Sequence, residues 1–400
     1  MSLLAGPVAF IDDELTKVGS QAEALLKEIQ ATGRPVAWSL TVPDDHDAWF
    51  EHWQSLAFVV LDWDLVPGSG GATGSSTLSQ FERKKLFDFV TALLERIYCP
   101  IFIISAEDTA DITRQLVENK SLVIPSGDLD ARIAVFPKEL LMDNIVQHLS
   151  SWLESSPALS ALKAWEQQYD TAKNRLFIEL NEMSPDWPVY VWRAADSDQV
   201  DPAFELASVI STNLLNRFDP VVFDEKAISG YAGPTSGSAR RRVAQGRTTV
   251  PASKLSPDRV LPGDMFKLAK KDEGEVWLNV SPACHTVGRV IKTMKDGTEV
   301  REPVRLQLLR GDRLDRPPTD AALKDLEKGR SNSIVLHTVL DESPYVFRFG
   351  DAQIVEWDSI RDRRVGRLLP PFITRVQQMH AAYIQSAGLP KVTFELYAPD

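Results

Sequence analysis

Acidic residues end two of the apolar runs in this sequence. Asp12, Asp13 and Glu14 follow Val8-Ala9-Phe10-Ile11, and Asp62 follows Phe58-Val59-Val60-Leu61. A hydroxyl, Ser105, closes the run Ile101-Phe102-Ile103-Ile104, and an ammonium, Lys138, follows Ile133-Ala134-Val135-Phe136-Pro137. Three carboxylates brought together suit a hard divalent cation such as Mg2+, which prefers a few carboxylates, a backbone carbonyl and waters. Asp12, Asp13 and Asp62 would supply those carboxylates, and without a cation their mutual repulsion would raise their pKa values. With Mg2+ bound, one carboxylate could attack a phosphorus atom and form an aspartyl phosphate. Lys138 would offset the phosphoryl charge, and Ser105 could hydrogen-bond a phosphoryl oxygen. Rearrangement of that hydroxyl and its loops would make a two-state switch.

Elements must bring these groups together. The first half alternates short apolar runs at 8–11, 35–40, 57–61, 100–105 and 132–136 with helical spacing at 20–31, 47–55, 81–97, 109–119 and 139–153. Alternation of this kind predicts βαβ units and a parallel sheet. Five strand–helix repeats in about 150 residues describe an α/β, flavodoxin-like doubly wound fold, in which all strand carboxyl ends face one crevice. One pocket would then hold three carboxylates, a hydroxyl and an ammonium.

The segments Phe10-Ile11-Asp12-Asp13-Glu14, Leu61-Asp62-Trp63-Asp64-Leu65, Ile104-Ser105-Ala106 and Phe136-Pro137-Lys138 resemble, in order, four features of response-regulator receiver domains. These are the acidic pair, the phosphoacceptor, the switch hydroxyl and the pocket lysine. The resemblance covers roughly residues 5–150. It implies an Mg2+-dependent phosphoacceptor at Asp62, with Asp64 as a rival, and a histidine-kinase-like protein as phosphoryl donor. In the family a proline lies four residues beyond the acceptor and another follows the lysine. Here Pro67 lies five beyond Asp62, and Pro137 precedes Lys138.

Beyond residue 153 the pattern changes. Residues 154–184 predict a linking helix, with Leu159, Leu162, Trp165, Tyr169, Leu176 and Leu180 at helical spacing. Residues 185–400 predict an α+β output or interaction domain. Strands are expected at 187–192 and 221–223 around a helix at 203–217, then an exposed loop over 229–263. Short β-type runs follow at 265–268, 276–280, 289–291, 304–309, 333–340, 345–349 and 353–357, then a helix at 367–387 and a closing strand at 391–396. That spacing suggests a small bent sheet or barrel. Residues 262–266 and 276–282 faintly resemble the opening of SH3-like barrels, and no activity transfers on so few matches.

Other motifs read more plainly. Gly68–Gly74 lacks the Gly-Lys-Ser/Thr ending of a phosphate loop and reads as a surface insertion. Arg240, Arg241, Arg242 and Arg247 form the most basic run, a solvated or partner-contacting surface. Cys284 and His285 adjoin, but neighbours in sequence rarely face each other productively, and no third catalytic group can be assigned. His148 lies on the expected fifth helix and reads as packing or surface.

The chain has 400 residues, enough for two domains, and a formal net charge of −12. Residues 1–150 hold 11 Lys and Arg against 22 Asp and Glu, while the remaining 250 hold 33 against 34. The acidic first part argues against a nucleic-acid surface there, and the second part leaves that question open. No apolar run reaches the ~18–20 residues of a membrane span, and residues 1–7 lack the pattern of a signal peptide, so a cytoplasmic location is expected. The leading expectation is a two-component-type signalling protein whose receiver controls a C-terminal output domain, in stress or phage defence. Two alternatives stay open. One is a phosphorylation-independent pseudo-receiver acting as scaffold or adaptor, as a homodimer or in a larger complex. The other is a C-terminal effector enzyme such as a nuclease.

Overall fold

The computed structural model describes residues 6–65, 76–124, 128–142, 144–223, 225–230, 236–268, 274–294, 299–315, 332–337 and 339–386. Contacts divide the chain into two units, Met1–Pro185 with Ile210–Ala232, and Asp186–Val209 with Gly233–Asp400.

In the first unit, β1 (Val8–Ile11), β2 (Val36–Ser39), β3 (Phe58–Asp62), β4 (Ile101–Ser105) and β5 (Ile133–Pro137) form a parallel sheet ordered β2-β1-β3-β4-β5. Between and after them come α1 (Gln21–Ala31), α2 (His46–His52), α3 (Ser76–Arg96), α4 (Thr109–Glu118), α5 (Lys138–Leu141) and α6 (Ile145–Glu154). The order reverses between β1 and β3, the switch point at which doubly wound sheets open a crevice.

Alternation along the strands sends side chains to two separate cores. Ala9, Ile11, Val59, Leu61, Ile101 and Ile103 meet Phe50 of α2, Phe89 and Leu93 of α3 and Ile112 and Leu116 of α4. Val8, Phe10, Phe58, Val60, Phe102 and Ile104 meet Leu25 and Ile29 of α1 and Leu149 and Leu153 of α6. Both faces are covered, which is why these strands are continuously apolar in sequence. Side-chain caps start the helices: Ser20 accepts from the Glu23 amide at 3.0 Å, Asp45 from Ala48 at 3.0 Å and Asp108 from Ala110 at 2.9 Å. The helix expected at 139–153 is two helices, because Asn144 caps α6 by accepting from the Gln147 amide at 3.0 Å.

The helix α7 (Pro157–Met183) begins with proline at its first position, where a missing N–H costs nothing. Leu159 joins the second core. Lys163, buried, donates to the Leu56 carbonyl at 2.9 Å and to Glu166 Oε2 at 2.7 Å. Trp165, Tyr169 and Phe218 stack with ring centroids 5.3–6.2 Å apart.

Among the described residues the remaining helices are α8 (Trp187–Ser197), α9 (Pro202–Leu215), α10 (Glu225–Ser229), α11 (Gly237–Thr248) and α12 (Phe372–Gln385). The strands of the second unit are β6 (Thr249–Pro251), β7 (Asp264–Phe266), β8 (Glu275–Asn279), β9 (Val290–Thr293), β10 (Glu299–Arg301), β11 (Arg305–Arg313), β12 (Ser333–Leu336), β13 (Tyr345–Glu356) and β14 (Arg364–Leu368). Seven make one antiparallel sheet ordered β12-β13-β11-β8-β7-β14-β6, and β9 pairs separately with β10. Leu278, Leu309, Phe347 and Phe349 pack with Ile373, Val376 and Met379 of α12.

Several local expectations fail in this unit. Residues 187–192 are helical rather than extended, since Pro188 fits a first helical turn and would remove a ladder donor from a strand. Residues 221–223 join no strand. The expected loop over 229–263 contains α11, started by Ser236 accepting from the Ala239 amide at 3.1 Å, and β6. The runs 345–349 and 353–357 merge into one strand, β13, which ends at Glu356 and whose register shift against β11 falls between Leu309 and Gly311. Gly311 permits this pairing because a Cβ there would strike the Phe347 ring. Residues 364–368, part of them read as helix, form β14. The expected strand at 391–396 and the loop Gly68–Gly74 lie outside the described residues.

Candidate functional site: an acidic pocket at the sheet's carboxyl end

The register of the parallel sheet aligns its strand ends. Ile11 pairs with Leu61, Asp62 with Ile104, and Ser105 with Pro137. Asp12, Asp62, Ser105 and Lys138, contributed by four strand ends, therefore gather at one edge of the crevice. All four are buried, Asp12 and Ser105 completely, while Asp13 stays partly exposed.

Lys138 Nζ lies 2.9 Å from Asp62 Oδ2 and 3.0 Å from Asp12 Oδ2, bridging the two carboxylates. Asp62 Oδ1 accepts the Asp64 amide at 3.2 Å, and Asp12 Oδ1 accepts the Glu14 amide at 2.8 Å. Ser105 Oγ does not reach Asp62. It donates to Asp64 Oδ2 at 2.8 Å and accepts from the Glu107 amide at 2.8 Å. Arg83 of α3 lies over the Trp63 ring, 3.7 Å from its centroid, and donates to the Trp63 carbonyl at 2.9 Å.

Burial pushes the Asp62 carboxyl up to about 7, helped by the Asp12 charge and opposed by Lys138. Asp13 is raised for the same two reasons, burial first and Asp12 second. Burial works against the charge on Lys138, yet Asp62 and Asp12 outweigh it and hold the ammonium above its ordinary value. Asp12, Asp13 and Asp62 each place an oxygen within 4.8 Å of the others. Among the described residues, two buried side-chain polar atoms lack a hydrogen-bond partner, Asp12 Oδ2 and Trp63 Nε1, both just past the ends of β1 and β3. Lys138 Nζ nevertheless stands 3.0 Å from Asp12 Oδ2 as an ion pair. Three carboxylates gathered this closely, two of them raised, suit a cation-binding role, and this triad could hold a metal ion.

The other sequence candidates stand apart. His148 lies on α6, and among the described residues no hydrogen bond or ion pair joins it to the pocket. In the second unit, Cys284 and His285 are both exposed and line an open cleft of about 550 Å³ with Arg289, Glu302 and Arg305. No hydrogen bond joins the Cys284 and His285 side chains, so they do not form a nucleophile–base pair. Arg240, Arg241, Arg242 and Arg247 are exposed on α11, where Arg241 reaches Glu342 at 3.2 Å. Sequence reasoning missed Arg83, whose only signal was the short basic run Arg83-Lys84-Lys85 within α3. Asp64, expected as a rival acceptor, is instead the side-chain partner of Ser105, which sequence reasoning did not foresee.

No helix among the described residues is long and apolar enough to cross a membrane. No family model matches this chain, and no curated protein matches it. A solved chain, a trimeric coiled-coil segment of yeast Spc42 fused to another protein, overlaps 43% of this chain and 95% of its own. Its identity is 13% and its TM-score 0.23, an overlap that says nothing about fold. The first unit is a five-stranded parallel α/β sheet, consistent with a flavodoxin-like fold, carrying a buried acidic cluster at its carboxyl end.

Proposed function

We propose that the first unit is a receiver of the response-regulator type, phosphorylated on Asp62 and controlling the second unit as its output. The observation that carries this reading is the meeting, at one end of the sheet, of Asp62 with Asp12 and Lys138, and of Ser105 alongside. Asp12, Asp13 and Asp62 would hold Mg2+. When bound, it would offset the clustered negative charge and that of the incoming phosphoryl group.

The residues of the chain supply the rest. Asp62 offers a carboxylate oxygen to phosphorus from the end of a strand buried on both faces. With a phosphohistidine donor, the P–N bond breaks as the Asp62 O–P bond forms, and the imidazole nitrogen leaves with the bonding pair. Lys138, already 2.9 Å from Asp62 Oδ2, balances the transferred charge. The donor is a histidine-kinase-like partner, and small acyl phosphates can stand in for it.

Intact mass after incubation with acetyl phosphate and Mg2+ tests the reading. A single phosphoryl adduct is expected, lost in Asp62→Ala. An adduct that survives Asp62→Ala would overturn the assignment of Asp62 and move the acceptor elsewhere, to Asp64 if Asp64→Ala removes it. Failure of both acetyl phosphate and beryllofluoride to engage the pocket would overturn the reading in favour of a phosphorylation-independent adaptor.

A further inference from the structure

Ser105 is already occupied. Its hydroxyl has one proton, and that proton is given to Asp64 Oδ2 at 2.8 Å, while its oxygen takes the Glu107 amide. Asp64 also holds the acceptor residue, since its amide donates to Asp62 Oδ1 at 3.2 Å. One residue thus grips Asp62 through its backbone and Ser105 through its side chain. Arg83 stands beside this arrangement, with Asp64, Glu107 and Asp62 as the acidic charges acting on it. Of its five N–H donors, a single one is engaged by hydrogen bonding among the described residues, at the Trp63 carbonyl.

Resting on the phosphoacceptor reading, we propose that Asp64 is a built-in competitor for Ser105: its carboxylate holds the switch hydroxyl until a phosphoryl group on Asp62 displaces it. The single Ser105 proton can serve Asp64 or a phosphoryl oxygen, not both. A phosphoryl group brings a charge of about −1.5 to −2 close to the Asp64 carboxylate, and like charges separate. Ser105 turns to the phosphoryl oxygen, and Asp64 takes the spare donors of Arg83. The event at β3 and β4 is thereby delivered to α3, the helix that carries Arg83. Asp64 is a positioning residue here, and it sets the threshold of the switch.

The test uses the 400-residue chain with saturating Mg2+, titrating beryllofluoride by calorimetry and 19F NMR. Wild type, Asp64→Ala, Asp64→Asn, Ser105→Ala and the Asp64→Ala/Ser105→Ala pair are compared. Losing a hydrogen bond to a charged group is worth roughly tenfold or more in affinity. Asp64→Ala should therefore bind about tenfold tighter than wild type. Asp64→Asn, which keeps an oxygen acceptor without the charge and preserves the side-chain shape, should fall between them; it also carries the test should Asp64→Ala not fold.

The gain must vanish when Ser105 is absent, so the double variant should bind no tighter than Ser105→Ala. A gain that persists without Ser105 would reduce the effect to simple charge removal and overturn the proposal. So would equal or weaker binding by Asp64→Ala and Asp64→Asn when wild type binds, and the phosphoacceptor reading would then stand. Binding by Asp64→Ala where wild type is silent would support the competitor in its strongest form. Silence in every variant would remove the phosphoacceptor reading and this proposal together.

Discussion

Replacing Asp62 by Asn should stabilise the first unit in the absence of divalent cations, and the gain should grow with pH. Burial and the Asp12 charge lift the Asp62 carboxyl from 3.8 to about 7. Its folded value lies above its unfolded one, so it contributes stability that is fully present below about pH 4 and lost as pH rises through about 7. At about 1.4 kcal/mol per pH unit, the whole span amounts to roughly 4 kcal/mol, of which about 2–3 kcal/mol falls between pH 5 and 8. Asp13, raised in the same direction, adds to the slope. In Asp62→Asn the larger part of that slope disappears, while Lys138 keeps Asp12 as a partner at 3.0 Å. Native-state hydrogen exchange in chelator, corrected for intrinsic rates and read on peptides spanning β3 and β4, separates this unit from the other. The wild-type strands should lose protection from pH 6 to 8 and the variant much less. Equal slopes in the two proteins, or a wild type that gains stability over that range, would refute the account of a strained, carboxylate-crowded pocket.

Mg2+ affinity should weaken as pH falls below about 7, approaching tenfold per pH unit, because protons compete for Asp62; calorimetry at pH 6, 7 and 8 checks it. Lys163→Met removes the donor to the buried Leu56 carbonyl and should cost about 1–3 kcal/mol, measured by hydrogen exchange at the start of β3. Under native conditions a maleimide should modify Cys284 and spare Cys99. The Cys99 thiol is completely buried and pushed up to about 12 by that burial, and mass spectrometry before and after denaturation distinguishes the two.

The first unit was legible because one rule governs it throughout. Strands buried on both faces must be apolar end to end, so β1, β3 and β4 appear as unbroken runs, and the polar residue that ends each run falls at the crevice. Asp12, Asp62, Ser105 and Lys138 could be placed together from that alone. The side-chain partner of Ser105 could not, because the choice between Asp62 and Asp64 depends on how the chain turns after β3. Arg83 was invisible for a related reason: its place over Trp63 depends on how α3 packs against the turn after β3. The second unit obeys looser rules. Its antiparallel strands vary in length and several leave one face exposed, so apolar runs mark them less clearly; Trp187-Pro188-Val189-Tyr190-Val191-Trp192 carries strand-forming residues yet coils into α8. Gly350-Asp351-Ala352 looks like a turn and yet lies within β13, at the irregularity where its pairing with β11 shifts. Gly366 interrupts an alternation that would have announced β14, where a Cβ would crowd the Val250 carbonyl.

The bond from Lys163 to Leu56 limits where the chain can be divided. Leu56 lies just before β3, the strand that ends in Asp62, so α7 is fastened to one end of the strand whose other end holds the acidic pocket. A fragment stopping at residue 153 would leave that carbonyl without its donor and would strip Leu159 from the layer over Phe58 and Phe102. The smallest excised piece that keeps this sheet intact therefore extends into α7. Anyone grafting the pocket onto another protein should carry that helix along with it.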